Sequence, residues 1–331
     1  MRYAVVLGEA LIDLLEGECD GQLVFRQAIG GAPLNVAVGV ARLGGAVEFA
    51  GALGDDVFAD RIRAFLTDAG VGTRGVVTAA VPTTLAVATF TGAEPEFRFY
   101  GDPPSYSFFG PESVDPALYA EAAVLYCGSV ALLCPSVLRA ARAAWAGTAG
   151  LRVFDPNVRP RLLRDAAAGE ELRAVVAEFA AGADLVKLSA ADAAVLYGDA
   201  SPETVARRLL AAGARCVVVT LGPAGALVAV GDDSVALPPP AVQTVDTTGA
   251  GDAVMAALIA ELLADGVPDD LTGWRARVDF AMRVAGVVCE SPGGAVAMPT
   301  RADVARRFGV SAVVDGGRGD VDDQVRPLSA S

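Results

Sequence analysis

The chain has 331 residues, with 40 Asp and Glu against 26 Lys and Arg, a net charge of −14, and no histidine. A histidine-based triad, an imidazole base and a His-ligated zinc are therefore excluded, and the acidic balance argues against nucleic acid or an anionic membrane as partner. Its single lysine, Lys187, is followed by leucine, which excludes a Walker A phosphate loop.

In chain order, Val5 to Leu7 reads as a short buried strand, and residues 10–27 as alternating strands outside the main rhythm. Helical periods follow at Leu34 to Leu43 and Phe58 to Ala69, and a second alternating segment spans residues 83–100. From there β-branched runs alternate with Ala/Leu/Arg-rich helical stretches. The strands are Val124 to Cys127, Val153-Phe154, Leu185 to Leu188, Val217 to Leu221 and Leu227 to Val230. The helices are Ser136 to Ala146, Glu170 to Ala181, Pro202 to Ala212 and Ala253 to Ala264. Strands apolar on both faces, alternating with helices, imply an α/β fold with a covered, mostly parallel sheet. The two alternating segments fit either a small antiparallel appendage or an edge hairpin of the main sheet. From about Val314 the chain is Gly/Asp/Ser-rich without periodicity, which predicts a tail without a fixed fold over 312–331.

Hydrophobic residues make up 53% of the chain, enough for one large core. Cys19, Cys127, Cys134, Cys216 and Cys289 are odd in number and form no C-x-x-C pair, the usage of reduced thiols in a cytoplasmic protein. No apolar run has the length of a signal peptide or a membrane helix.

The chemistry concentrates in Asp246-Thr247-Thr248-Gly249-Ala250-Gly251-Asp252, which leads into a helix apolar on all sides. The first turn of such a helix offers unpaired N–H groups and the positive end of its dipole to phosphate oxygens. Gly249 and Gly251 let backbone approach an anion without a Cβ in the way. A carboxylate at Asp252 faces that anion and can accept the proton of a hydroxyl attacking a γ-phosphoryl group. The dipole is expected to keep Asp252 ionised, a weak but ready base. A dinucleotide fingerprint is excluded because the third glycine is missing.

This string resembles the C-terminal signature of the ribokinase-like (PfkB) family of carbohydrate and nucleoside kinases. Gly30-Gly31-Ala32-Pro33-Leu34-Asn35, followed by Ala41-Arg42-Leu43-Gly44, resembles its N-terminal signature. The resemblance runs from about Tyr3 to about Arg307. It implies a three-layer α/β/α kinase domain over 1–311, with a mostly parallel central sheet and lid strands from about 10–27 and 83–107. It further implies ATP and Mg2+ as cofactors, K+ in some members, and a homodimer through the lid strands.

By the same resemblance Asp252 is the base, and the amides of Gly249, Ala250, Gly251 and Asp252 form the anion hole. Asp13, Gly30, Gly31 and Asn35 would bind the sugar, joined by Arg98, Tyr100 and Arg159. Lys187, Ser189, Thr220, Gly222, Gly225, Gly249, Gly251 and Gly294 would line the nucleotide side, Gly294 beside the adenine. Asp246 and Thr248 match a monovalent-cation site. Ser189-Ala190-Ala191-Asp192 stands where the family often carries N-x-x-E, so Asp192 either organises magnesium through water or belongs to a helix that Ser189 caps.

Asp155-Pro156-Asn157-Val158-Arg159 resembles a stretch of fructokinases and 2-keto-3-deoxygluconate kinases. Acid-sugar kinases commonly carry an arginine after the lid tyrosine, whereas this chain has Gly101. A fructokinase is therefore expected, with 2-keto-3-deoxygluconate kinase second and a ribokinase or nucleoside kinase a distant third. A catalytically silent sugar or nucleotide sensor is the reading from outside enzymes.

Overall fold

The computed structural model describes residues 2–91, 94–113 and 115–309; the expected tail at 312–331 and the far end of the 1–311 domain lie outside them. The first half of the chain carries β1 (Ala4–Leu7), β2 (Leu11–Cys19), β3 (Gln22–Gly30), α1 (Ala32–Arg42), β4 (Val47–Leu53), α2 (Val57–Asp68), β5 (Gly72–Thr78), β6 (Leu85–Thr91) and β7 (Glu94–Tyr100). Then come α3 (Ala117–Ala120), β8 (Val124–Gly128), α4 (Pro135–Gly147), β9 (Leu151–Asp155), α5 (Ala166–Ala180), β10 (Leu185–Ser189), α6 (Ala190–Tyr197) and α7 (Pro202–Ala212). The last part holds β11 (Cys216–Thr220), β12 (Ala226–Val230), β13 (Asp233–Leu237), α8 (Ala250–Asp265), α9 (Leu271–Cys289) and α10 (Arg301–Phe308).

Among the described residues nine strands form one sheet in the order β13-β12-β11-β10-β9-β8-β1-β4-β5, with β12 alone running against the rest. Successive residues of β1 feed opposite faces: Ala4 and Val6 pack with α1, α2, α8 and α9, while Val5 and Leu7 pack with α4, α5 and α7. Two cores on two faces make this the expected three-layer α/β/α arrangement. In α8, Leu258, Ile259 and Leu262 are fully buried, each contributing about 1.5–3 kcal/mol. Gly39 lets α1 approach so closely that a Cβ there would press on Ala256 at 2.5 Å.

A second sheet has the order β3-β2-β6-β7. It is an appendage, not an edge of the main sheet, and it is mixed, not antiparallel: two hairpins join through a parallel β2–β6 pair. Its strands end at Tyr100. Ser105 already belongs to the body, bonded to Thr84 through its backbone amide at 2.8 Å and buried. The lid strands are thus Leu11–Cys19, Gln22–Gly30, Leu85–Thr91 and Glu94–Tyr100. Among the described residues no helix is long and apolar enough to cross a membrane.

Candidate active site

In a parallel sheet the ends of the strands toward their C-termini open onto one crevice. Here β1 delivers Glu9, β8 delivers Ser129, β9 delivers Asp155 and Asn157, β10 delivers Ser189, and β11 delivers Thr220. The first turn of α8 points into the same crevice, with Gly249 in the left-handed region (φ 78°) as its N-cap. A Cβ on Gly249 would stand 2.8 Å from the Cα of Gly294, so the glycine is needed for two loops to touch.

Asp252, in that first turn, is buried and held from two sides. Asn35 donates its Nδ2–H to Oδ2 at 2.7 Å, and Asn157 donates its Nδ2–H to Oδ1 at 3.2 Å. Burial pushes its carboxyl above the usual range, opposed by the Asn35 hydrogen bond, the charges of Lys187 and Arg159, and the Asn157 hydrogen bond. This corrects the expectation of a weak base, because desolvation outweighs the dipole. The anion hole needs a correction as well. The Ala250 N–H donates to the Thr247 carbonyl at 3.1 Å, which leaves the Gly249, Gly251 and Asp252 amides of the expected four to face an anion.

Lys187 lies beneath this turn. Its Nζ pairs with Asp155 Oδ2 at 2.6 Å, both side chains being at least 97% buried. The same ammonium is 3.3 Å from where a Cβ of Gly251 would be. Burial pushes the Asp155 carboxyl up to about 6, with Lys187 pulling it back down.

On the sugar side, Asp13 projects from β2 beside Gly30, where any Cβ would collide with its carboxylate. Burial pushes Asp13 up to about 6, against the charge of Arg159. Arg159 donates through Nη1 to the carbonyls of Val158 and Asn157 and to Asn157 Oδ1, which turns the Asn157 amide toward Asp252. Asn35 Oδ1 is buried without a partner among the described residues, an acceptor aimed at no protein group. Gly31, at φ 109°, starts α1 against the Glu9 carbonyl.

Arg98 and Tyr100 do not join this group. The registers Asp13↔Ala86 and Ala86↔Phe99 put Asp13 and Phe99 on one face of the lid. Strand alternation then puts Arg98 and Tyr100 on the other.

On the nucleotide side, Thr220 ends β11 and Gly222 (φ 57°) and Gly225 (φ 97°) shape the following turn. Asp246 accepts from the Thr248 N–H at 2.9 Å, the Thr248 hydroxyl at 2.7 Å and the Gly293 N–H at 3.0 Å. Both its oxygens thereby brace the loop. Ser189 and Asp192 form a reciprocal capping box at the start of α6. No three acidic or cysteine side chains among the described residues converge as a metal site.

Sequence reasoning missed several members. Glu9 is buried, accepting from the Ser129 hydroxyl at 2.6 Å and the Ala131 N–H at 3.2 Å. Asn157 contacts the base directly, and the buried Tyr126 hydroxyl lacks a partner among the described residues, with Asp155, Asp252 and Glu9 nearby. The D-P-N-V-R string was the available signal for Asn157; nothing local marks Glu9 or Tyr126.

The sequence matches the pfkB family carbohydrate kinase profile over residues 1–301. It is 36% identical over 307 residues to a fructokinase of Klebsiella pneumoniae, covering 91% of this chain and 97% of that one. The fold is similar to a Xylella fastidiosa fructokinase with bound ATP, at TM-score 0.84 and 29% identity over 93% of this chain and 99% of that one. A Vibrio cholerae fructokinase in its fructose, ADP and calcium ion bound form superposes at TM-score 0.79 and 29% identity, covering 92% of this chain and 98% of that one. A profile match across most of the chain and a relative at this identity have one reading: the chain belongs to the pfkB family of carbohydrate kinases.

Proposed function

We propose that this kinase is an ATP-dependent fructokinase that converts fructose to fructose 6-phosphate. The observation that carries the reading is Asp252, buried in the first turn of α8 and held by Asn35 and Asn157. As the sugar oxygen bonds to the γ-phosphorus, the bond from that phosphorus to the β–γ bridging oxygen breaks, and its electron pair leaves with ADP. Asp252 takes the hydroxyl proton late in that step. The amides of Gly251 and Asp252 meet the oxygens of the transferring group. Magnesium bound with the nucleotide would offset phosphate charge. Asp13 and the unpartnered Asn35 Oδ1 are suited to read sugar hydroxyls. Gly222, Gly225, Thr220 and Gly294 line the nucleotide side.

A neutral sugar is favoured over an acid sugar because the charge of Arg159 already acts on Glu9, Asp13 and Asp252. A substrate carboxylate there would add a fourth acid to one guanidinium. The relatives named for fructokinase activity support the same choice. We also read the chain as a homodimer paired through its lid, in a reducing cytoplasm that suits five free thiols.

The test is ATP consumption with fructose, 2-keto-3-deoxygluconate, ribose and adenosine in parallel, with Asp252→Asn as the inactive control. Fructose is expected to turn over fastest. Turnover of the acid sugar alone would replace this reading with the runner-up, and no turnover at all would leave a sensor.

A further inference from the structure

The loop from Asp155 to Arg159 ties the base to three walls of the crevice. Asp155 is gripped by Lys187 and accepts from the Asn157 N–H at 3.1 Å. Asn157 has φ 38°, in the left-handed region that apart from glycine mainly asparagine and aspartate adopt, and its neighbours hold it there. The restraint on its far side is Asp192. Oδ1 of Asp192 accepts from the Val158 N–H at 2.8 Å, one residue beyond Asn157. Oδ2 accepts from the Ser189 N–H at 2.8 Å and the Ser189 hydroxyl at 2.7 Å. Asp192 is only 6% exposed, and three of its roughly four lone-pair directions are spent.

A side chain so engaged does not fit the part of a metal organiser that the N-x-x-E resemblance implies. We propose instead that Asp192 is a positioning residue: through Val158 it holds Asn157 on Asp252 and so sets the base on the substrate hydroxyl. This rests on the kinase reading of Asp252 given above.

Two variants separate the alternatives. Asp192→Asn keeps an acceptor for Val158 but puts an amide against the Ser189 N–H. Asp192→Glu restores the carboxylate that the family often carries, with one more methylene. As a metal organiser, glutamate should serve as well as aspartate. As a brace cut to length, it cannot hold both Ser189 and Val158.

The full-length protein is assayed on its best sugar across a magnesium series, and MgADP affinity is measured by calorimetry. Both variants are expected to lose kcat about tenfold or more at every magnesium concentration. Half-saturating magnesium and the MgADP Kd should stay within about twofold. In an Asn157→Ala background, Asp192→Glu should cost less than about twofold further, since the contact it positions is already gone. The proposal is overturned if saturating magnesium restores kcat, if MgADP binding weakens fivefold or more, if kcat is unchanged, or if the two losses multiply. Should Asp192→Asn not fold, Asp192→Glu carries the same comparison. The calorimetric arm needs no sugar, so it judges Asp192 even where fructose fails as substrate.

Discussion

Asp13 is maintained at a cost that only a ligand can recover. Its ordinary pKa of 3.8 rises to about 6 in the fold, chiefly by burial. Between those values the folded protein binds more protons than the unfolded chain, so stability from this group falls as pH rises from about 4 to about 6. Above 6 the penalty is complete, on the order of 2–3 kcal/mol. Asp13→Asn removes the charge and should therefore raise the melting temperature of the ligand-free protein at pH 8, with about half that gain at pH 5. Fructose KM should rise at least tenfold at the same time. A variant less stable than wild type at pH 8 would contradict the sign. Asp252 was legible because it follows a glycine turn into an apolar helix, whereas Asp13 and Asn35 were named through the resemblance to the family. Glu9 and Asn157 were not, since their roles arise from contacts across 120 and 95 positions. The strength of Asp252 as a base was misjudged for a related reason: the dipole is visible in a helix-start string, whereas desolvation by α1 and β9 is not.

At the scale of elements, the turn into α8 works because two glycine loops meet backbone to backbone. Gly249 sits at φ 78° and its missing Cβ leaves room for Gly294, while Asp246 ties the preceding loop to the Gly293 N–H. Gly249→Ala adds a left-handed alanine, worth about 1–2 kcal/mol, and pushes the Gly294 loop away. Titration against ATP should show KM rising about tenfold with fructose KM within about threefold, and thermal melts should fall by several degrees. An ATP KM that stays at the wild-type value would show that the loops can part without consequence. The buried α8 was legible from its apolar sequence, and so were the strands rich in valine. β4 and β5 were not recognised, since Val47–Leu53 and Gly72–Thr78 carry glycines inside the strands. α9 escaped because Gly273, Gly286 and its arginines blur the 3.6-residue period, although Trp274, Val278 and Val288 are buried.

For the molecule as a whole, the lid divides its two faces between two duties. Asp13 looks toward the sugar side. On the opposite face Ile12, Leu14, Ile29 and Leu85 pack on the core beneath α1 and α8. Farther from the body that same face exposes Leu23 at 69%, Phe25 at 47% and Tyr100 at 53%. Strand alternation and the registers Ile12↔Ile29, Ile12↔Leu85 and Leu85↔Tyr100 put all three on one side, where no element among the described residues covers them. An uncovered apolar surface on a sheet with open edges favours pairing with a second copy, which is also the role expected of the lid strands. Sedimentation at micromolar concentration should therefore give a dimer for the wild type. Leu23→Asp combined with Phe25→Asp should give a monomer with an unchanged circular-dichroism spectrum. Because Asp13 rides on the strand paired with β3, loosening the lid should raise fructose KM several-fold and leave ATP KM within about twofold. A wild type that sediments as a single chain would refute the lid as an interface.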